Sequence, residues 1–179
     1  MGSKWTIRKA VPDDVAGVAK VHVDSWRTTY KGIVSDEFLA SLSYEKSEER
    51  WGNRLANNSA GYGMFVAVNE EGQIIGFADG GRERSGDSTY HGELYAIYLL
   101  KEHQRKGVGR QLFHYVVSYL ASNHLHAMLI WVLNENPSRY FYQSMGGQFV
   151  CEKSTQIGEQ QLQESAYGWC NLTLLQEQL

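Results

Sequence analysis

The stretch Glu93–Tyr119, ELYAIYLLKEHQRKGVGRQLFHYVVSY, constrains the fold more than any other part of the chain. It opens with Leu94-Tyr95-Ala96-Ile97-Tyr98-Leu99-Leu100, an apolar and aromatic run of strand length. A short charged loop, Lys101 to Lys106, leads into Gly107-Val108-Gly109-Arg110. Beyond it, Val108, Leu112, Phe113, Val116, Val117 and Leu120 step by threes and fours, the pattern of a helix packing one face on a sheet. A strand that feeds a glycine loop opening a helix makes an anion site. The first turn has free N–H groups and the positive end of the dipole, and glycines let a phosphate approach the backbone.

The rest of the chain supplies the surroundings of this unit. Trp5-Thr6-Ile7-Arg8 reads as a first strand after a tail, Met1–Lys4. Pro12-Asp13-Asp14 signals a helix start, and Val15, Val18, Ala19, His22 and Trp26 then share one face of a helix reaching about Tyr30. His22 is read there as a core histidine. Short helices follow at Asp36–Leu42 and Glu45–Leu55, then a loop at Asn57–Gly61. Met64–Val68 and Ile74–Ala78 form a hairpin about Glu70-Glu71-Gly72, and Arg82–Thr89 reads as a mobile loop. Ala127–Leu133 is apolar enough for a strand covered on both faces. Pro137 starts a short helix through Tyr142 that ends at Met145-Gly146-Gly147, with Asn134 available as its cap. Gln148–Gln156 and Ser165–Leu172 read as a final strand pair joined around Gly158. The order implies one domain over residues 1–179, of mixed α/β class, with a largely antiparallel central sheet flanked by helices.

Composition narrows the function. The 179 residues carry a net charge of −3, so no broad cationic face awaits nucleic acid, and the basic residues Lys101, Arg105, Lys106 and Arg110 are a local cluster suited to a small polyanion. No apolar run is long enough to span a membrane, and the N-terminus has no signal-peptide pattern. Cys151 and Cys170 lack metal-ligand spacing, and no metal site is expected; they read as small buried residues in a reducing cytoplasm.

Gln104-Arg105-Lys106-Gly107-Val108-Gly109, a Q-x-x-G-x-G run between strand and helix, resembles the acetyl-CoA pyrophosphate loop of the GNAT (Gcn5-related N-acetyltransferase) superfamily. Asn136-Pro137-Ser138-Arg139-Tyr140-Phe141-Tyr142-Gln143-Ser144-Met145-Gly146 resembles the family's N-x-x-x-x-F-Y-x-x-x-G segment, and His22–Ile33 is similar to a subgroup in which this helix and loop cover the acceptor side. The element order is the family's over nearly the whole chain. Lys101 stands where the family often has proline, and Gly146-Gly147 replaces the commoner Gly-Phe. A Rossmann-type nucleotide fold fits worse, because G-x-G-x-x-G is missing and the flanking strands are hairpins.

The resemblance implies an N-acetyltransferase with acetyl-CoA as co-substrate, acting on a primary amine of a small molecule or protein by direct attack in a ternary complex. It assigns the pyrophosphate to Gln104, Arg105, Lys106, Gly107, Val108, Gly109 and Arg110, and the pantetheine to the main chain of Leu99 and to Asn136. The N–H of Ile97 would meet the thioester oxygen, a donor worth about 3–4 kcal/mol. Holding an amine of pKa near 10.4 neutral at pH 7 costs about 4–5 kcal/mol, and a general base recovers roughly 10²–10⁴-fold. Glu93 is the candidate base, eleven residues before Gln104 as in one branch of the family; its other reading is a strand-end cap. Glu135 and Asp79 are the weaker candidates. Tyr142 is the candidate acid, against a plain core role, and Trp26 and Tyr30 are candidates to line the acceptor pocket. A catalytically silent acyl-CoA sensor on the same fold is the alternative, and an exposed final strand would suit a homodimer. The acceptor itself is not written in these motifs.

Overall fold

The computed structural model describes residues 5–57 and 61–178, so the expected tail and most of the Asn57–Gly61 loop lie outside the described residues. Seven strands form one sheet in the order β1-β2-β3-β4-β5-β7-β6. They are β1 (Trp5–Lys9), β2 (Gly63–Asn69), β3 (Ile74–Arg82), β4 (Gly92–Leu99), β5 (Met128–Leu133), β6 (Gln148–Ile157) and β7 (Gln160–Trp169). Every pairing is antiparallel except β4 with β5. The helices are α1 (Val15–Thr29), α2 (Asp36–Ser41), α3 (Tyr44–Ala56), α4 (Val108–Ser122), α5 (Arg139–Ser144) and α6 (Leu172–Gln178).

The three-and-four spacing read from the sequence becomes the buried face of α4: Val108, Leu112, Phe113, Val116, Val117 and Leu120 are all buried. With α5, α6 and the inner residues of β5 and β7, this face makes the larger core. The opposite sheet face is covered by α1 and α3, where Val18, Val21 and Trp51 meet Met64, Val66, Phe77 and Ala96. Asp14 anchors the start of α1 by accepting from the Val11 amide at 2.8 Å and from the Arg8 guanidinium at 2.6 and 2.8 Å. Ser35 and Ser43 cap α2 and α3 through their hydroxyls.

Several expectations need correcting. The last strand ends at Trp169 rather than Leu172, and the chain then folds into α6, whose Leu172 and Leu175 enter the α4 core. Asn171 supplies the physical reason, since its Oδ1 accepts from the Leu174 amide at 3.0 Å and caps the new helix. The outer strand is β6, with β7 inside the sheet, so the open edge is not the last strand. Both cysteines are exposed: Cys151 lies on edge strand β6, and Cys170 lies just past β7. Asn134 does not cap the helix before Tyr142; its amide donates to Glu152 at 3.0 Å and its oxygen accepts from Ser165 at 2.6 Å. Asn136 instead shapes the turn ahead of the helix, accepting from the Ser138 amide at 2.9 Å; regular helix begins at Arg139 rather than Pro137, and its N-cap Ser138 makes no side-chain cap bond. The expected mobile loop at Arg82–Thr89 is held by its own carboxylates: β3 runs to Arg82, and Glu83 gathers the amides that follow.

Candidate active site

A break in the sheet organises the site. The parallel strands β4 and β5 pair only at Gly92↔Met128 and Glu93↔Leu129, then diverge. From Leu94 onward β4 is bonded to β3 alone, leaving its other edge open. Which groups face the opening depends on a bulge. Register with β3 passes from Asp79↔Ala96 to Gly80↔Leu94, so Tyr95 is an extra residue. Before it, the Gly92 amide donates toward β5, to Ala127 O at 2.9 Å; after it, the Leu100 amide donates toward β3, to Ile75 O at 3.0 Å. Main-chain direction alternates along an antiparallel strand, so Ile97 and Leu99 turn their N–H and C=O groups into the opening. Gly80 permits the bulge, because a Cβ there would stand 2.8 Å from the Glu93 carbonyl and 2.8 Å from Val116 Cγ1.

The glycine loop sits where β4 ends. A 3₁₀ turn at Lys101–His103 is followed by two left-handed residues, Arg105 at φ 59° and Gly107 at φ 93°. Gly107 immediately precedes α4, and a Cβ built on it meets nothing within 4 Å. Among the described residues, no amide from 105 to 110 donates to a backbone carbonyl; the ladder resumes with Gln111 to Gly107 O at 3.2 Å. Alternating left-handed residues beside unpaired amides form a concave anion cradle, and α4 adds its dipole. The residues fit a pyrophosphate. Gln104 donates to Leu99 O at 3.2 Å, and Arg110 reaches Gln178 O at 3.4 Å; Arg105 and Lys106 are exposed.

Aromatic groups from three elements close the far end of the opening. Tyr142, on α5, is buried, and its hydroxyl makes no hydrogen bond among the described residues. Burial pushes that phenol above its ordinary range, with neighbouring Tyr98 adding to the shift. Trp26 Nε1 donates to the Tyr98 hydroxyl at 3.0 Å, and the rings of Trp26 and Tyr30 lie 4.4 Å apart. Asn136 donates to the Tyr30 hydroxyl at 3.3 Å, joining the β5–α5 turn to α1. His22 is packed among Trp26, Trp51 and Tyr98 and shares a 2.9 Å hydrogen bond with Ser47. Burial and nearby Arg50 push its pKa down to about 4, so it stays neutral, as a core histidine does.

The three carboxylates differ sharply. Glu93 is 2% exposed, at the last paired position before the strands part. Its oxygens accept from the Arg84 amide at 3.2 Å, Nε at 3.1 Å and Nη2 at 2.5 Å. Asp79 is fully buried beneath α3, bound to Arg54 Nε at 2.8 Å and to the Tyr62 hydroxyl at 3.0 Å. Burial raises its pKa to about 6 against the opposing pull of Arg54 and Tyr62. Glu135 is exposed on the turn after β5. Among the described residues, no three His, Cys, Asp or Glu side chains converge as a metal-binding group, and no helix is long and apolar enough to cross a membrane. Sequence reasoning missed Arg84 and Tyr98. The alternation broken at Tyr95 hid Tyr98, while Glu83 ahead of Ser85-Gly86 was the available sign that Arg84 sits in an ordered turn.

The comparisons place the chain among known families and folds. The Acetyltransferase (GNAT) family model matches residues 18–147. The uncharacterized N-acetyltransferase YuaI of Bacillus subtilis is 42% identical over 170 residues, 95% of each chain. The L-amino acid N-acyltransferase MnaT of Escherichia coli is 31% identical over 126 residues, 69% of each. The structure of yncA, an acetyltransferase from Salmonella typhimurium solved with acetyl-CoA, superposes with a TM-score of 0.69 at 21% identity, covering 95% of both chains. With its diverging strands and glycine cradle, the chain belongs to the GNAT family and is an N-acetyltransferase that uses acetyl-CoA as co-substrate.

Proposed function

We propose that the chain, acting as one domain, acetylates the primary amine of a small acceptor by direct attack in a ternary complex, with Glu93 as base and Tyr142 as acid. The observation that carries this reading is the parting of β4 from β5 immediately after Glu93, which leaves the main chain of Ile97 and the amide of Leu99 without a β5 partner, beside the cofactor loop whose Gln104 takes the Leu99 carbonyl. Amides 105–110 hold the pyrophosphate, and Leu99 and Asn136 serve the pantetheine arm. Glu93, acting directly or through a water, takes a proton from the amine. The amine nitrogen bonds to the thioester carbon, and the Ile97 N–H donates to the oxyanion that forms. The C–S bond then breaks as Tyr142 gives its proton to the thiolate. The Tyr142 phenol is protonated at neutral pH, and its hydroxyl has no hydrogen-bond partner among the described residues, which leaves it free to donate to the sulfur.

The acceptor we favour carries both an amine and a carboxylate, as an amino acid does. MnaT is named for L-amino acids. In this chain, Glu93 pairs in parallel with Leu129, so its side chain shares a sheet face with Leu129 and Trp131. That face offers Arg84 over the Tyr95 ring at 4.3 Å and Lys153 over the Trp131 ring at 3.7 Å, beside the carboxylates Glu93 and Glu164. Charges of both signs beside aromatic rings suit a zwitterion better than a polycation. Trp26 and Tyr30 line the closed end. A cytoplasmic setting and a homodimer through the open β6 edge complete the proposal. The test is release of free CoA thiol with L-amino acids, spermidine and a peptide offered as separate acceptors. Turnover with amino acids supports the reading, turnover with spermidine alone overturns the acceptor class, and none with any amine favours a silent acyl-CoA sensor.

A further inference from the structure

The connection from β3 to β4 is organised by one side chain. Glu83 Oε1 accepts from the Ser85 amide at 2.6 Å and from the Ser85 hydroxyl, while Oε2 accepts from the amides of Gly86 at 2.7 Å and Asp87 at 2.9 Å. The Glu83 amide closes the loop's base on His91 O at 2.9 Å. Asp87 repeats the device one turn later, accepting from the amides of Thr89 at 2.7 Å and Tyr90 at 2.8 Å. Tyr90 packs against Gly168, where a Cβ would come within 2.5 Å of its ring. Partial burial works against the Glu83 charge, yet the Ser85 hydroxyl and the amides of Asp87, Ser85 and Gly86 draw its carboxyl down to about 2.

Arg84 is the first residue inside this turn, and its amide, Nε and Nη2 all point to Glu93. The bulge residue Tyr95 holds it from the other side, with its ring 4.3 Å from the guanidinium and its hydroxyl donating to Arg82 O. An arginine whose side chain is 58% exposed holds a single geometry only if its backbone is already fixed, because the rotamer entropy otherwise opposes the pairing. Sheet pairing and the Glu83 amide fix the chain before Arg84, and the Glu83 carboxylate fixes the residues that follow it.

We infer that Glu83 is a positioning residue for acetyl transfer: it folds the β3–β4 loop so that Arg84 holds the Glu93 carboxylate at the mouth of the strand opening. This role presupposes Glu93 as the base. It assigns work to a loop that contributes no reacting atom, and it separates Glu83 from Asp87, which anchors Tyr90 instead.

The test is a double-mutant cycle on kcat, using acetyl-CoA and whichever acceptor turns over fastest in the amine screen. Glu83→Ala is expected to lower kcat about ten- to a hundredfold, the range for misplacing a catalytic group by an ångström or less, with unchanged acetyl-CoA affinity by titration. In a Glu93→Gln background, the same substitution is expected to have almost no further effect, since there is no base left to position. Glu83→Gln, which keeps one acceptor oxygen, is expected to fall between wild type and Ala, and it carries the test if the Ala variant does not fold. An equal loss from Glu83→Ala in both backgrounds overturns the inference while leaving Glu93 as base. A Glu93→Gln enzyme as fast as wild type overturns the base and this role together.

Discussion

Substituting Gly107 with aspartate separates folding from cofactor binding at one atom. Gly107 is left-handed, φ 93° and ψ −9°, at the edge of α4, and its missing Cβ faces open space. A non-glycine residue there meets about 1–2 kcal/mol of backbone strain. The new charge at the positive end of α4 returns about 0.3–1 kcal/mol. Without ligand the variant should therefore lose only about 0–2 kcal/mol and melt cooperatively a few degrees below wild type. Binding behaves differently. A carboxylate roughly 6 Å from two phosphate charges is repelled by about 1.5–5 kcal/mol, between water-like and surface-like screening. Acetyl-CoA affinity should fall at least about tenfold, before counting the steric block. Isothermal titration and ligand-dependent melting read both quantities. Wild-type acetyl-CoA affinity in a folded Gly107→Asp protein would refute the reasoning, because the loop would then be only a turn.

Three further outcomes follow from the site. Glu93→Gln should slow turnover by roughly 10²–10⁴-fold at pH 7 with acetyl-CoA affinity unchanged, and the deficit should shrink toward pH 9 as the free amine deprotonates; equal rates at both pH values remove Glu93 as base. Tyr142→Phe should lower turnover by about one to two orders of magnitude in a single-turnover assay. It should barely change melting, because the hydroxyl it removes has no hydrogen bond among the described residues. Asp79 has a folded pKa raised to about 6 by burial, above its unfolded value, so the folded state holds its proton longer. Wild-type stability relative to Asp79→Asn should fall as pH rises from about 4 to about 6 and then level off; urea melts across that range check the sign.

The parts of the fold written in periodic patterns were legible before any coordinates. Helix α4 followed from apolar steps of three and four, and its glycine entry followed from a strand of the right length ahead of it. The bulge at Tyr95 was not legible, since Glu93-Leu94-Tyr95-Ala96 contains no glycine; the glycine that admits it, Gly80, lies on the neighbouring strand. That one extra residue decides which amides of β4 face the opening, so the site's main-chain chemistry rests on a pairing that a linear reading cannot see. Helix α6 was hidden because Leu172-Thr173-Leu174-Leu175 suits strand or helix equally, and only the Asn171 cap tips the balance. Cys151 and Cys170 were misjudged for a related reason: small apolar residues are buried in interior strands, and strand order, not composition, puts one on an edge and the other beyond a strand end. The Arg82–Thr89 loop looked mobile from its glycines and serines, while two carboxylates within it, Glu83 and Asp87, gather its amides. The candidate residues carried by side-chain motifs, Tyr142 and Asn136, are both buried near Tyr30 and Tyr98; Asn136 is engaged with Tyr30 and Ser138, the first a contact set by tertiary packing.

The most direct measurement is a backbone amide titration of the assigned protein with acetyl-CoA, followed by NMR. Saturable shifts should concentrate on Arg105 to Arg110 and on Ile97 and Leu99, whose N–H groups are free of the β3 ladder. Tyr98 and Leu100, bonded into that ladder, should shift far less. Saturable shifts centred elsewhere, with amides 105–110 and Ile97 unmoved, would contradict a cofactor held by the glycine cradle with its thioester beside the open edge of β4.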